Sequence, residues 1–226
     1  MEDKLTHLYT SNQRYWYDLP PNLRRTVEDR AQQISHDELE LEIERRLKGF
    51  KERADFQGVH SCVSSSLDVP DDQGARLVVL GPAYSHKAGQ MDSKAIGAAE
   101  EILNNRGSSP RLYRNMLAFV APYRDYLQSL EQETRRYLAW KSVVDDTEAL
   151  NLDAYQRRQA SESLKRSDET VDLRVKEAYC WLLMPTQDGT NPLEGEATRI
   201  SGGTESHIVK AAKRMRTTEQ LILKAP

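Results

Sequence analysis

Two arginines three residues apart, Arg111 and Arg114 in SPRLYRN (residues 109–115), carry the side chain best suited to gripping a phosphoryl group. A guanidinium presents several N–H donors in one plane and keeps its charge at any physiological pH, so it can stabilise charge in a neighbouring active site. The competing reading pairs both with the chain's abundant carboxylates. Arg114 is the stronger phosphate-sensing candidate because it sits closest to the strand that follows.

A second constellation is the loop GPAYSHK (residues 81–87), which leaves the carboxyl end of an apolar run. Open α/β sheets place ligands beyond the carboxyl ends of their strands, so His86 and Lys87 are candidates to donate hydrogen bonds to a bound group there. An ordinary strand-to-helix loop explains the same residues. The third is RYWYDLPPNLRR (residues 14–25). Arg14, Tyr15, Trp16, Arg24 and Arg25 combine cations with rings that can stack on a base, a nucleic-acid or partner face. Packing of the same aromatics against another part of the protein needs fewer assumptions.

Other chemistries are missing from the sequence. No GxxxxGK[ST] stretch supplies a phosphate cradle, so ATP hydrolysis by this chain alone is not expected. His60 and His86 belong to no HExxH, Cys62 and Cys180 lack metal-ligand spacing, and the SSS run at 64–66 lies in no GxSxG elbow. Two isolated cysteines point to a reducing compartment. The opening MEDKLTH has no secretion-signal progression, and no apolar run approaches the roughly 18 residues of a membrane span. A cytoplasmic chain without a membrane partner is the expectation.

Composition bounds the elements that must position these residues. An apolar fraction of 38% with 30% charged residues suits helices with one buried stripe and broad wet faces. The formal net charge of -3 gives no bulk attraction for nucleic acid, although a local patch still can.

LTHLY (5–9) and RYWY (14–17) read as a small β-hairpin stopped by Pro20 and Pro21. Asn22 caps a helix whose stripe is Val27, Ala31 and Ile34. Ser35 with Glu38 forms a capping box for a second helix carrying Leu39, Ile43 and Leu47. Strands are expected over 56–63, 76–80 and 115–120, with a helix capped by Ser93 between the last two, an order that fits a parallel crossover. Helices over 123–144 and 154–183, joined by a short connector, predict a helical hairpin. Residues 186–204 read as a linker before a short terminal helix.

The expected fold class is therefore α/β: a small, mainly parallel sheet with flanking helices, then a long helical hairpin, with an N-terminal β-hairpin of winged-helix-like type. The expected divisions are 1–49, 50–122, 123–185 and 186–226. A parallel sheet of two or three strands has unprotected edges, and a lone terminal helix has no support. Both features predict that the natural protein continues.

Several runs in order resemble the DUF499 family of large bacterial ATP-binding proteins: RYWYDLPPNLRRTVEDRA, LDVPDDQGARLVVLGP, SPRLYRNMLAFVAP with TRRYLAWKSV, LNLDAYQRRQA and EAYCWLLMPTQDG. The likeness spans about residues 7–190 and, more weakly, 200–223. It implies an AAA-type P-loop ATPase associated with restriction or phage defence, with this chain drawn from the region after the ATP-binding core. Walker A and Walker B have no counterpart here. The function implied is a non-catalytic accessory or C-terminal fragment that packs on a missing ATPase core or partner subunit and couples to DNA or protein. ATP and Mg2+ would be bound only in the full-length or complemented assembly. Two other classes stay open: a nucleic-acid-binding module and a structural interaction domain.

Overall fold

The computed structural model describes residues 8–11, 14–17, 22–90, 93–185, 198–200 and 204–218, the first two stretches as backbone. In chain order the elements are β1 (Leu8–Ser11), β2 (Arg14–Tyr17), α1 (Leu23–Gln33), α2 (His36–Gly49), β3 (Gly58–Ser61), β4 (Arg76–Val79), α3 (Lys94–Asn104), β5 (Asn105–Arg106) and β6 (Ser109–Pro110). There follow β7 (Leu117–Pro122), α4 (Arg124–Asp145), α5 (Ala154–Ala178), β8 (Tyr179–Leu183), β9 (Thr198–Arg199) and α6 (His207–Thr217). They form two compact units interleaved in sequence, where consecutive segments were expected. One comprises residues 1–34 and 135–169, the other 35–134 and 170–226.

In the first unit β1 and β2 pair antiparallel, Leu8 opposite Tyr17 and Ser11 opposite Arg14. Asn22 caps α1 by accepting from Arg25 N at 3.3 Å. The buried stripe of α1, Leu23 and Val27, meets Ala139, Trp140 and Val143 of α4 and Leu152 and Ala160. Arg135 Nη1 donates to the Ile34 carbonyl at 2.5 Å, satisfying an end-of-helix acceptor that water would otherwise have to reach.

The second unit holds a five-stranded mixed sheet in the order β3-β4-β7-β8-β9. β3, β4 and β7 run parallel, with Val59 opposite Leu77 and Val78 opposite Phe119. β8 joins β7 antiparallel, with an irregularity between Ala121 and Pro122, and β9 joins β8 antiparallel. The crossover from β4 to β7 runs through α3, which Ser93 caps by accepting from Ile96 N at 3.3 Å. Strands β7 and β8 are buried along their whole length, as strands covered on both faces are. The capping box predicted for α2 is present, with Ser35 and Glu38 each bonding the other's main chain.

Three expectations need correction. Helix α5 stops at Ala178, and Tyr179–Leu183 is a strand. The stripe Val171, Val175, Ala178 and Leu182 reads as one helix because a fully buried strand shows no alternation. The short apolar run is resolved instead by its aromatic and bulky residues and by its pairing with β7. The sheet also gains β8 and β9 from this same chain, so it is not the unfinished set of two or three strands foreseen. Helix α6 has support: Ile208, Ala211, Ala212 and Met215 are buried, and the helix packs near β8. The mixed α/β class, with a small sheet, flanking helices and the long helices α4 and α5, stands.

Candidate functional site

The parallel strands bring three loops to one edge of the sheet: residues 62–66 after β3, residues 80–90 after β4, and the turn into α4 after β7. His86 is stitched into that edge by its main chain. Its N–H donates to Pro122 O at 2.9 Å and its carbonyl accepts from Arg124 N at 3.0 Å. The ring is 3% exposed, stands edge-on to Trp181 at 4.8 Å, and places Nδ1 2.8 Å from Ser93 Oγ. Burial lowers the His86 pKa, keeping the imidazole neutral. The Ser93 hydroxyl is already occupied as the α3 cap. This pair ties the loop after β4 to the start of α3, a structural role for the residue expected to face a ligand. Lys87 is half exposed and lies 3.6 Å from Asp125.

Beside these loops is a cleft of about 70 Å³, lined in part by Ser64, Ser65, Ser66, Gly81, Tyr84 and Glu101. Sites for small organic ligands generally run from about 300 Å³ upward, so this one admits little more than solvent.

Arg111 is 3% exposed. Its Nε donates to Ile102 O at 2.8 Å, Nη1 to Pro70 O at 2.9 Å, and Nη2 to both Ser66 O and Val69 O at 3.2 Å. Those four carbonyls belong to the end of α3 and to the connection between β3 and β4. Asp71 completes the corner by accepting from Leu112 N at 2.8 Å and Tyr113 N at 2.9 Å. Arg111 is a main-chain clamp rather than a phosphate sensor, because the donors that would grip phosphate are spent inside the fold. Arg114 is exposed, with a 3.4 Å contact from Nε to Arg111 O.

Arg24 and Arg25 project from the wet side of α1, and each faces a carboxylate one turn on. Arg24 is 3.1 Å from Glu28 and Arg25 is 4.0 Å from Asp29. Arg14, Tyr15 and Trp16 lie on β2, and the role expected of their side chains falls outside the described residues.

The exposed cluster that sequence reasoning missed lies where α4 starts. Tyr123 Oη donates to Asp125 Oδ2 at 2.6 Å, and the Tyr123 and Tyr126 rings meet edge-to-face at 5.0 Å. The Arg199 guanidinium stands over both rings, 5.1 Å from the Tyr123 centroid and 5.0 Å from that of Tyr126, and donates to Tyr126 Oη at 2.5 Å. The hydrogen bond to Asp125 raises the Tyr123 pKa, and the same bond, followed by the Lys87 charge, lowers that of Asp125. The two tyrosines were legible as an i, i+3 pair at a helix start. Arg199 carried no signal, standing in a stretch that read as linker.

Among the described residues no three His, Cys, Asp or Glu side chains converge to hold a metal ion, and no helix is long and apolar enough to cross a membrane.

No family model matches the chain, no curated protein matches it, and no solved structure matches it. These findings overturn the assignment to DUF499 and, with it, the relation to AAA-type ATPases and the phage-defence association.

Proposed function

We propose that this chain is a protein-interaction module that couples to a protein partner through the face built by Arg199, Tyr126 and Tyr123. One observation carries the reading: Arg199 is held in place over two tyrosine rings, yet stays exposed beside a Tyr126 that is 41% exposed. Tyrosine and arginine dominate the energetics of protein interfaces, and a pre-ordered pair loses less side-chain entropy on binding. Among the described residues β9 also ends the sheet, so its short edge lies next to these side chains.

Nucleic acid is the weaker partner class. The exposed arginines of α1 are each offset by a carboxylate at the i+4 position, and a phosphate backbone would have to displace it. The finer fold reading belongs to the same proposal. In it α4 and α5 form a helical hairpin, and β1, β2 and α1 a winged-helix-like segment that offers the partner a second surface.

The experiment installs a photo-crosslinking amino acid at Tyr126 of the full chain in the cells that express it. The expected result is one discrete protein adduct, lost on Arg199→Glu, and a Kd for the purified pair weakened by about 2 kcal/mol or more in Arg199→Ala. No discrete adduct, or salt-sensitive duplex DNA binding that Arg24→Gln with Arg25→Gln abolishes, would overturn the reading.

A further inference from the structure

Between α2 and β3 runs a strap, residues 50–55, held against α6 by Phe50, Glu52 and Asp55. Phe50 stands edge-on to His207 at 4.9 Å, and Glu52 accepts a hydrogen bond from the α6 cap Ser206. Asp55 pairs with Arg216 at the far end of that helix. The strap then turns, Phe56 N donating to Arg53 O at 3.0 Å, and enters β3 where Gln57 N donates to Ala75 O at 2.8 Å.

Glu52 and Asp55 bond to α6, while Lys51 and Arg53, with Phe50 and Val59, line an open hollow of about 310 Å³ between the strap and the outer strand β3. Lys48 from the end of α2 and Ser61 at the end of β3 share its lining, with Glu52 as the one lining carboxylate. Lys48 is 3.0 Å from Glu44, so its charge is partly answered. Neither Lys51 nor Arg53 has a carboxylate within ion-pair distance among the described residues. Two unanswered cations on an anchored backbone, in a mostly polar hollow of this size, form a place for a compact, multiply charged anion.

We propose that this hollow binds a phosphate-bearing small ligand, with Arg53 as the planar fork and Lys51 and Lys48 as point charges around it. A guanidinium matches two phosphate oxygens at once, and the Ser61 hydroxyl supplies a neutral donor at the edge. The site is separate from the Arg199 face, and neither proposal rests on the other.

The test titrates the full chain with pyrophosphate at low ionic strength by calorimetry, alongside inorganic phosphate, ADP and citrate. Saturable pyrophosphate binding is expected, with inorganic phosphate weaker because it carries less charge. Lys51→Gln with Arg53→Gln weakens it by about tenfold or more, the loss of charge-assisted hydrogen bonds. Arg53→Lys falls between, since it keeps the charge and loses the fork. Arg158→Gln with Lys165→Gln removes the same charge from the wet face of α5 and leaves affinity unchanged. ADP binding tighter than pyrophosphate would assign the phosphate to a nucleotide, and weaker binding to a free oligophosphate. Three outcomes overturn the proposal: no saturable pyrophosphate binding, citrate binding as tightly, or an equal loss in the α5 variant.

Discussion

Arg46 and Glu42, one turn apart on α2, meet at 2.8 Å with side chains only 5% and 7% exposed. Arg45 binds the same carboxylate from the solvent side at 2.7 Å, and Arg46 Nη1 reaches Asp172 at the start of the second-unit part of α5 at 2.5 Å. Removing one member of such a pair leaves the other buried and unanswered. Glu42→Ala is therefore expected to cost about 3–5 kcal/mol, read from urea unfolding midpoints. Adding Arg46→Met should recover much of that loss; a double variant as unstable as the single one would show that the pair's packing matters more than its charge.

Arg111→Ala is expected to be among the most destabilising single changes, on the order of 4 kcal/mol, because four main-chain carbonyls, most of them buried, lose their donor together. Arg111→Lys should rescue little, since an ammonium on a flexible stem cannot span the fork. Hydrogen exchange would show amides in residues 64–72 and 105–113 opening well before the sheet. Uniform loosening would count against a local clamp.

The acid limb of stability should start with histidines. His207 is fully buried and burial holds its pKa at about 3, against an ordinary value near 6.5; burial also lowers those of His86 and His60. The unfolded chain thus takes up protons that the folded one refuses, and stability falls as pH drops from about 6.5 toward 3. Glu42 adds a lower window. Burial pushes its pKa up, but hydrogen bonds from Arg45 and Arg46 outweigh that and hold it below the carboxylate range. Its contribution is present above about 4.5 and lost as pH falls through the depressed folded value. His207→Phe should flatten the slope between pH 6.5 and 4.5 in melts taken across pH; an unchanged slope would refute the assignment.

Gly107 turns the chain between β5 and β6 at φ 63°, and a Cβ there would lie 2.7 Å from Leu67 Cδ2. Gly107→Ala should cost about 1–3 kcal/mol from both the left-handed backbone and the collision. Pairing it with Leu67→Ala relieves only the collision, so a double-mutant cycle should show coupling of the two sites with a residual loss left over. Strict additivity would mean that Leu67 simply swings aside, as its 59% exposure permits.

Much of the local structure was legible because its causes are local. The Asn22 cap, the Ser35–Glu38 box and the Ser93 cap each involve atoms within one helical turn, so residue type and spacing suffice. The runs RLVVL and NMLAFV announced β4 and β7 for the same reason. The candidate site was far less legible. Arg111 looked like a phosphate ligand because a guanidinium advertises its chemistry regardless of what satisfies it, and its carbonyl partners at Ser66, Val69 and Pro70 lie more than 40 residues away.

The sequence alone determined where the helices begin, three of their caps, three of the sheet strands and the absence of a phosphate-cradling motif from these residues, all properties of short stretches. Only the tertiary structure decided that YCWLL is a strand, that the two units interleave, that α6 anchors the strap, and that Arg199 meets Tyr126 across 73 positions. Those outcomes depend on which distant segments bury one another. Short-range spacing does not encode that choice, because it is made by the closing of long loops around a shared apolar core.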